Sequence, residues 1–121
     1  MRQFYSTVQE FTQDQFNIIV DWTYEDFSIR DCFEETEERF AEMERRLELY
    51  LDTHYIMRVR ALYNGVEMGC STLGSCYAYD CSPAEDITKN MTDYLEDLVT
   101  EAVAEARTNA TAMLEKMKED F

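Results

Sequence analysis

The sequence of 121 residues is poor in glycine, histidine and positive charge. With three glycines the sequence has no glycine-rich phosphate-binding loop. Its single histidine belongs to no Ser–His–Asp set that the spacing would suggest. Only 11 basic side chains stand against 26 acidic ones, which gives a formal charge of -15. We therefore expect no direct binding to nucleic acid or to an anionic membrane, because both require a basic surface.

The sequence also lacks long apolar runs. No run approaches the roughly 20 residues that a membrane span needs, and residues 1–16 have no hydrophobic segment typical of a signal peptide. We therefore expect a protein of the reducing cytoplasm with free thiols at its four cysteines. Cys70-x5-Cys76-x4-Cys81 lacks the C-x2-C spacing of structural zinc, so the sequence indicates neither a metal nor a cofactor.

What the chain does contain is enough apolar material for a core. Hydrophobic residues make up 45% of the sequence and aromatic residues 13%, a composition that disordered acidic chains do not have. A chain of this length can bury a core without disulfides or metals. We expect residues 1–121 to form a single domain.

The first half of the sequence changes from a strand period to a helix period. Apolar residues alternate with polar ones over residues 15–22, which predicts a half-buried strand. The stretch before it is compatible with a short strand or a helical turn. Between residues 28 and 52 the apolar spacing is helical, with Ser28 as the predicted N-cap. The other side of this predicted helix is acidic.

A β-hairpin follows, predicted over residues 54–63 and 66–73. Asn64-Gly65 between them is the pair that a type I′ turn favours. Pairing Tyr63 with Val66 then predicts that Ala61 lies opposite Met68. Gly74 allows a bend or bulge, after which residues 75–79 can continue the strand.

The last predicted element is a long helix that begins at Ser82-Pro83. Its apolar stripe includes Tyr94 and Leu98. If continuous over residues 83–119 the helix would be about 55 Å long, so its last turns must fold back, project or pack on another subunit. The predicted fold is therefore α+β, an antiparallel sheet of three to four strands with two long amphipathic helices on one face.

The acidic helix faces are the candidate interaction sites. They have two interpretations: a solvated face with ion pairs such as Glu35–Arg39 and Glu42–Arg46, or a recognition surface. The charge exceeds what solubility requires, a magnitude of about 2 to 8 in a small domain. Carboxylates one helical turn apart lie about 6 Å from each other, close to the phosphate repeat of a nucleic acid. The candidate partner-binding residues are Glu34, Glu35, Glu38, Glu42, Asp93, Glu96, Asp97, Glu101, Tyr77 and Tyr79.

Two motifs carry a resemblance to a known family. Asn64-Gly-Val-Glu-Met-Gly69 and Leu73-Gly-Ser-Cys-Tyr77, followed by an acidic helix, resemble small acidic proteins encoded by tailed phages. Members show Leu where this chain has Met68 and Gly where it has Ser75. The resemblance covers about half of the chain and implies a phage accessory protein; such proteins often inhibit host defence, as anti-CRISPR and anti-restriction proteins do.

Together these features predict a non-enzymatic inhibitor in the host cytoplasm. It would bind a basic host protein, such as a CRISPR effector or a restriction nuclease, by presenting carboxylates in place of nucleic-acid phosphates. An alternative is a homo-oligomeric structural module, such as a homodimer, that associates through residues 102–117. A third reading, an enzyme or metal-dependent regulator built on the cysteines, has no supporting motif.

Overall fold

The computed structural model describes residues 4–120; residues 1–3 and 121 of the predicted domain lie outside the described part. An antiparallel sheet is formed by four strands in the order β1-β2-β3-β4. The predicted α+β class is therefore confirmed. The strands are Ser6–Gln13 (β1), Phe16–Tyr24 (β2), Thr53–Tyr63 (β3) and Val66–Ala78 (β4), and the helices are Ile29–Cys32 (α1), Glu37–Glu48 (α2), Pro83–Lys89 (α3) and Thr92–Asp120 (α4).

Two tight turns connect the strands at the same end of the sheet. Asn64 and Gly65 both have positive φ, 49° and 81°, which confirms the predicted turn between β3 and β4. Asp14 and Gln15 also have positive φ, 52° and 72°, between β1 and β2. That turn contains no glycine, so the sequence left β1 undecided between a strand and a helical turn.

One face of the sheet packs against α4 and forms the main core. Ile18, Val20, Met57 and Val59 are fully buried on this face. Alternation along the strands directs their neighbours to the other face. The helix contributes Leu98, Val99, Ala102, Val103 and Ala106 to the same cluster.

A β-bulge in β4 changes the predicted hairpin register. Leu62 lies opposite Glu67 as predicted, but Ala61 lies opposite Gly69 rather than Met68, so Met68 is an extra residue on β4. The bulge turns Gly69 toward α4. A Cβ at this position would overlap with Ala102 O, so the close approach of helix and strand requires glycine here. The register prediction was wrong beyond Glu67 because a tertiary contact, and not the turn, determines it.

A second bulge lies where Gly74 predicted one. Met57 lies opposite Leu73 and Tyr55 opposite Cys76, with Ser75 at φ 56° between them. The carboxylate of Glu25 accepts a hydrogen bond from Ser75 N at 2.9 Å. The strand then continues to Ala78, as expected.

The predicted helix over residues 28–52 is divided into α1 and α2. The Ser28 hydroxyl accepts a hydrogen bond from Arg30 N, which confirms the N-cap, but α1 ends at Cys32. Thr36 then caps α2 by accepting from Arg39 N at 3.2 Å. The two helices bury their own small cluster, whose members are Ile29, Phe40 and Met43 with Phe33, Leu47 and Tyr77 around them.

The small cluster does not lie where it was predicted, since both long helices were expected on one face of the sheet. The Phe33 ring lies 5.6 Å from that of His54 and 6.3 Å from that of Tyr77. His54 and Tyr77 are a cross-strand pair, and they alternate along their strands with Tyr55 and Cys76 of the main core. The α1–α2 segment therefore packs at the end of the sheet as a separate unit from α4.

The predicted C-terminal helix is interrupted once. Its start is confirmed, because the Ser82 hydroxyl accepts from Glu85 N at 3.1 Å. The interruption follows Lys89, where Asn90 Nδ2 donates to Asp86 Oδ1 at 2.8 Å. The Tyr55 hydroxyl donates to the same buried carboxylate at 2.6 Å, and burial together with this bond raises the pKa of Tyr55.

Helix α4 then runs for 29 residues, about 43 Å at 1.5 Å per residue. Tyr94 was expected in its buried stripe but is 55% exposed. Burial ends at Ala106, and no residue in the range 107–120 is buried, so the last turns extend beyond the core. Despite its length, α4 is not apolar enough to cross a membrane, and neither is any other helix within residues 4–120.

Candidate functional site

The outward side of α4 carries a row of carboxylates. Asp93, Asp97, Glu101 and Glu105 follow one another at intervals of four residues, and Glu96 lies beside them. All five are exposed, while the opposite side of the helix packs on the sheet. The row is about 18 Å long, and successive carboxylates are about 6 Å apart. We call these five residues the α4 acidic face.

The charges of the α4 acidic face have no cationic partner among residues 4–120. None of the five carboxylates forms an ion pair with a residue in the range 4–120. Glu101 accepts a hydrogen bond from the Ser71 hydroxyl at 2.6 Å, which fixes this side chain to β4. The basic residue next along the helix, Arg107, pairs with Asp14 at 2.7 Å. The face therefore presents unpaired negative charge on a rigid support.

The acidic residues of α1 and α2 have a different environment. Arg30 donates to both Glu37 and Glu44, at 2.7 and 2.6 Å, and Arg45 pairs with Glu42 at 2.7 Å. The hydrogen bond from Arg30 lowers the pKa of Glu37, and that from Arg45 lowers the pKa of Glu42. Three carboxylates of α2 are thus paired with arginines, whereas Glu38 and Glu48 form no ion pair with residues 4–120.

The individual pairs predicted on α2 do not form. Glu42 pairs with Arg45 rather than Arg46. Arg46 instead reaches Asp52 at 3.0 Å. Glu35, predicted to pair with Arg39, lies in the connection before α2.

The candidate residues of this region are also not one helical row. Glu34 and Glu35 precede the Thr36 cap, because the helix starts again only at Glu37. Glu38 lies in the first turn of α2 and is exposed. The structure therefore does not bring Glu34, Glu35, Glu38 and Glu42 together with the α4 acidic face, and the two regions belong to separate hydrophobic clusters.

The two candidate tyrosines have unequal access to solvent. The Tyr77 hydroxyl donates to Asp52 Oδ2 at 2.7 Å, and burial with this bond raises the pKa of Tyr77. Tyr79 is 55% exposed and its ring lies 5.8 Å from the guanidinium carbon of Arg39. Tyr77 is thus a packing residue of the α1–α2 unit, and Tyr79 alone of the pair offers an aromatic surface.

Asp52 is the centre of a network that sequence reasoning missed. It is 3% exposed, and it accepts from Arg46 Nε at 3.0 Å and from Asp80 N at 2.8 Å in addition to Tyr77. Burial by itself would raise the pKa of Asp52, but these hydrogen bonds hold it below its ordinary value. The network joins the end of α2 to the end of β4. Arg46 can be recognised in the sequence as a basic residue in the last turn of α2, but only the fold shows that its partner is Asp52.

Cys70, Cys76 and Cys81 are not activated as nucleophiles. Burial raises the pKa of Cys76 to about 11, and it also raises those of Cys70 and Cys81. These thiols therefore stay protonated at neutral pH, whereas nucleophilic attack requires the thiolate. No group of three histidine, cysteine or acidic residues within the described part of the chain is placed to hold a metal ion.

His54 lies in the wall of a cleft of about 400 Å³ between α2 and the end of β2. The residue is 6% exposed, and Nε2 makes no hydrogen bond with residues 4–120. Burial lowers the pKa of His54 below 6.5, and the charge of Glu25 offsets this only in part. The ring is therefore neutral in the folded protein at pH 7.

The neutral His54 predicts a stability change in mildly acidic solution. As pH falls from about 7 to 5, the unfolded chain takes up a proton that the folded protein binds less well. The free energy of unfolding should therefore fall, by at most about 1.4 kcal/mol per pH unit. Urea unfolding at several pH values measures this. His54→Phe, which keeps an aromatic ring between Phe33 and Tyr77, should flatten the dependence; an unchanged slope in the variant would assign it to other groups.

Comparison of the chain with protein-family models, with curated proteins and with solved structures gave no match. The candidate site therefore rests on its own geometry. The features that distinguish it are unpaired charge, regular spacing and a rigid support, all on α4.

Proposed function

We propose that this protein is a non-enzymatic inhibitor that binds a basic, nucleic-acid-handling host protein through the α4 acidic face. The observation that carries the proposal is the absence of ion pairs, within residues 4–120, on five carboxylates of a helix that the core holds in place. Four of the five follow one another at intervals of four residues. Unpaired charges keep their full attraction for an incoming cationic surface. Paired ones, as on α2, would first have to leave their arginines.

The spacing supports a nucleic-acid-like mode of binding. Successive carboxylates about 6 Å apart approximate the phosphate repeat of one strand, so the row can occupy a groove lined with lysine and arginine. A net charge of -15 also accelerates encounter with such a target at low salt. Occupation of the groove would exclude the nucleic acid.

The proposed setting is the cytoplasm of a phage-infected host. The resemblance of the β3–β4 turn and of β4 to small acidic phage proteins supports it. The target class we propose is a CRISPR effector or a restriction nuclease, because these enzymes hold nucleic acid in basic channels and are the host functions that a phage benefits from blocking.

Neutralising the α4 acidic face tests the proposal. The variant combines Asp93→Asn, Glu96→Gln, Asp97→Asn and Glu101→Gln, which keep side-chain shape and leave an acceptor for Ser71. Each exposed ion pair contributes roughly 0.2–1 kcal/mol, so loss of four should raise the inhibitory concentration about 4- to 900-fold. The measurement is inhibition of target-DNA cleavage by a panel of purified CRISPR effectors and restriction nucleases.

The matched control removes the same number of charges elsewhere. Glu34, Glu35, Glu38 and Glu48 are exposed residues of the α1–α2 region, and changing each to glutamine should alter inhibition by about threefold or less, the long-range part of the charge. Equal losses in the two variants would show that net charge, and not the α4 acidic face, drives binding. Absence of inhibition by the wild-type protein across the panel would contradict the proposed target class.

A further inference from the structure

The second half of α4 carries an apolar stripe with no core beneath it. The buried positions Ala102 and Ala106 are continued at helical spacing by Ala110, Met113 and Met117. Met113, Leu114 and Met117 are each more than half exposed, at 54, 54 and 53%. The side of the helix that is buried over the sheet thus stays apolar after the sheet ends.

This stripe is one wall of a groove, and the tip of the β3–β4 hairpin is the other. Asn109 Nδ2 donates to Met68 O at 2.7 Å, which fixes the helix to the hairpin where the groove begins. The hairpin side is also exposed, with Tyr63 at 52% and Val66 at 58%. The groove has a volume of about 390 Å³. We call it the C-terminal groove; its lining residues are Tyr63, Asn64, Val66, Met68, Ala110, Met113, Leu114 and Met117.

The charge around the C-terminal groove differs from that of the rest of the chain. Residues 107–120 contain three basic and three acidic side chains, whereas the whole chain contains 11 and 26. Two molecules that each carry a charge of -15 repel one another over most of their surfaces. The last part of α4 is a region where they can approach without facing like charge.

We propose that the C-terminal groove is a dimer interface occupied by the same region of a second copy of this chain. In a two-fold dimer the same surface serves on both molecules, so each copy would contribute its own α4 stripe and its own hairpin tip to the interface. Met113, Leu114 and Met117 of each copy would fill the groove of the other. The lysines at 116 and 118 can then meet the partner's acidic residues of the same segment.

A basic partner is not the occupant that this chemistry favours. None of the residues lining the C-terminal groove carries a negative charge, and the carboxylates of the α4 acidic face lie on the first half of the helix. Methionine side chains are unbranched and adapt to a facing apolar surface. The inference is independent of the proposed inhibitory function, since the two surfaces share a helix but no residue.

Sedimentation velocity of the purified full chain tests the dimer, from about 1 µM to 1 mM protein. The expected result is a concentration-dependent shift from 14.3 kDa to twice that mass. Leu114→Glu with Met117→Glu should raise the dissociation constant about 100-fold or more, because four carboxylates would then face one another across the interface. Circular dichroism should show folded helix in this variant, since both side chains are exposed.

The control variant adds the same charge to the other side of the helix. Thr108→Glu with Ala112→Glu, both at exposed positions outside the C-terminal groove, should leave dimerisation within about threefold of wild type. In parallel, the methyl resonances of Met113 and Met117 should shift with concentration, while those of the buried Met43 and Met57 stay fixed. A monomer at every concentration, or equal loss in the two variants, would overturn the proposal.

Salt separates this proposal from the inhibitory one. Raising NaCl from about 50 to 500 mM screens the repulsion between two acidic molecules, so the dimer should tighten several-fold. Binding of a basic target through the α4 acidic face should weaken over the same range. A dimer that dissociates at high salt would contradict the groove assignment without affecting the proposed function.

Discussion

Replacing Gly69 with alanine should destabilise the protein by about 3 kcal/mol or more, the upper range for overpacking. The added Cβ would overlap with Ala102 O and lie 2.8 Å from Ala106 N. Both atoms belong to the backbone of α4, so no side-chain rotation can make room. Either the helix or β4 must move, and a shift of the helix would disturb the packing of Leu98 and Val103 in the main core.

Gly74 provides the matched control in the same strand. A Cβ there would meet Glu25 Oε2 at 3.2 Å, and that atom is the end of a flexible side chain. Gly74→Ala should therefore change the free energy of unfolding by less than about 1 kcal/mol. Urea unfolding followed by the fluorescence of Trp22, the single tryptophan, measures both variants. Equal stabilities of the two would show that helix and strand do not approach as closely at Gly69 as described.

The second large effect is expected at Asp21, on the sheet face away from α4. Asp21 is 1% exposed and accepts from Arg58 Nε at 2.8 Å and Nη2 at 2.7 Å, with Arg60 at 3.4 Å. The Tyr5 ring covers the guanidinium of Arg58 at 3.4 Å. Asp21→Ala leaves the Arg58 guanidinium, on a side chain only 20% exposed, without its carboxylate, while Arg60 keeps Glu67 at 3.9 Å. The loss should cost about 3 kcal/mol.

The loss of stability expected for Asp21→Ala is opposite to the effect of removing an exposed carboxylate from so acidic a chain. Removal of an exposed, unpaired carboxylate such as Asp97 relieves repulsion, so Asp97→Ala should be neutral within about 0.5 kcal/mol or slightly stabilising. Urea unfolding of both alanine variants at neutral pH makes the comparison. If Asp21→Ala is also within 1 kcal/mol of wild type, the buried ion pair does not stabilise the fold as we infer.

The sequence predicted the elements whose signals are local. Asn64-Gly65 carries its own turn conformation, and Ser82-Pro83 its own helix start, so the second hairpin and α3 could be placed. Asp14-Gln15 adopts the same type of turn without a glycine, and β1 was therefore missed as a definite strand. Thr36 followed by two glutamates is a helix-start signal within residues 28–52. The apolar residues keep a helical spacing on both sides of it, so the sequence predicted one continuous helix.

The bulge in β4 could not have been predicted from the hairpin alone. Tyr63 and Val66 define the register at the turn, and simple alternation carries it onward. The shift at Met68 arises because Gly69 must face Ala102 and Ala106, which are more than 30 positions later in the chain. Only the packed helix decides which face the glycine takes.

The sequence identified the acidic residues of the candidate site, but it did not show which of them form ion pairs. Asp93, Glu96, Asp97 and Glu101 lie as expected on one exposed helix side. In the sequence the acidic residues of α2 are equivalent to those of α4. In the structure Arg30 of α1 forms ion pairs with Glu37 and Glu44. Such pairing between separate elements depends on tertiary structure, and it is what distinguishes α2 from α4.

Helix α4 thus combines two surfaces of different chemistry along its length. Its first half carries unpaired carboxylates on the outward side, and its second half extends an apolar stripe past the sheet. A dimer formed through the second half would place two α4 acidic faces in one particle. Two such faces on one inhibitor would bind a target with repeated basic sites more tightly than either alone.

The most direct test of the central claim is the salt dependence of affinity for a nuclease that the protein inhibits. Isothermal titration of the wild-type protein and of the neutralised α4 variant, in about 50 and 500 mM NaCl, compares the two conditions. The account predicts that the wild-type affinity falls about 10- to 100-fold at the higher salt and that the variant, already weak, changes much less. An affinity that is the same at both salt concentrations, or the same in the variant, would contradict it.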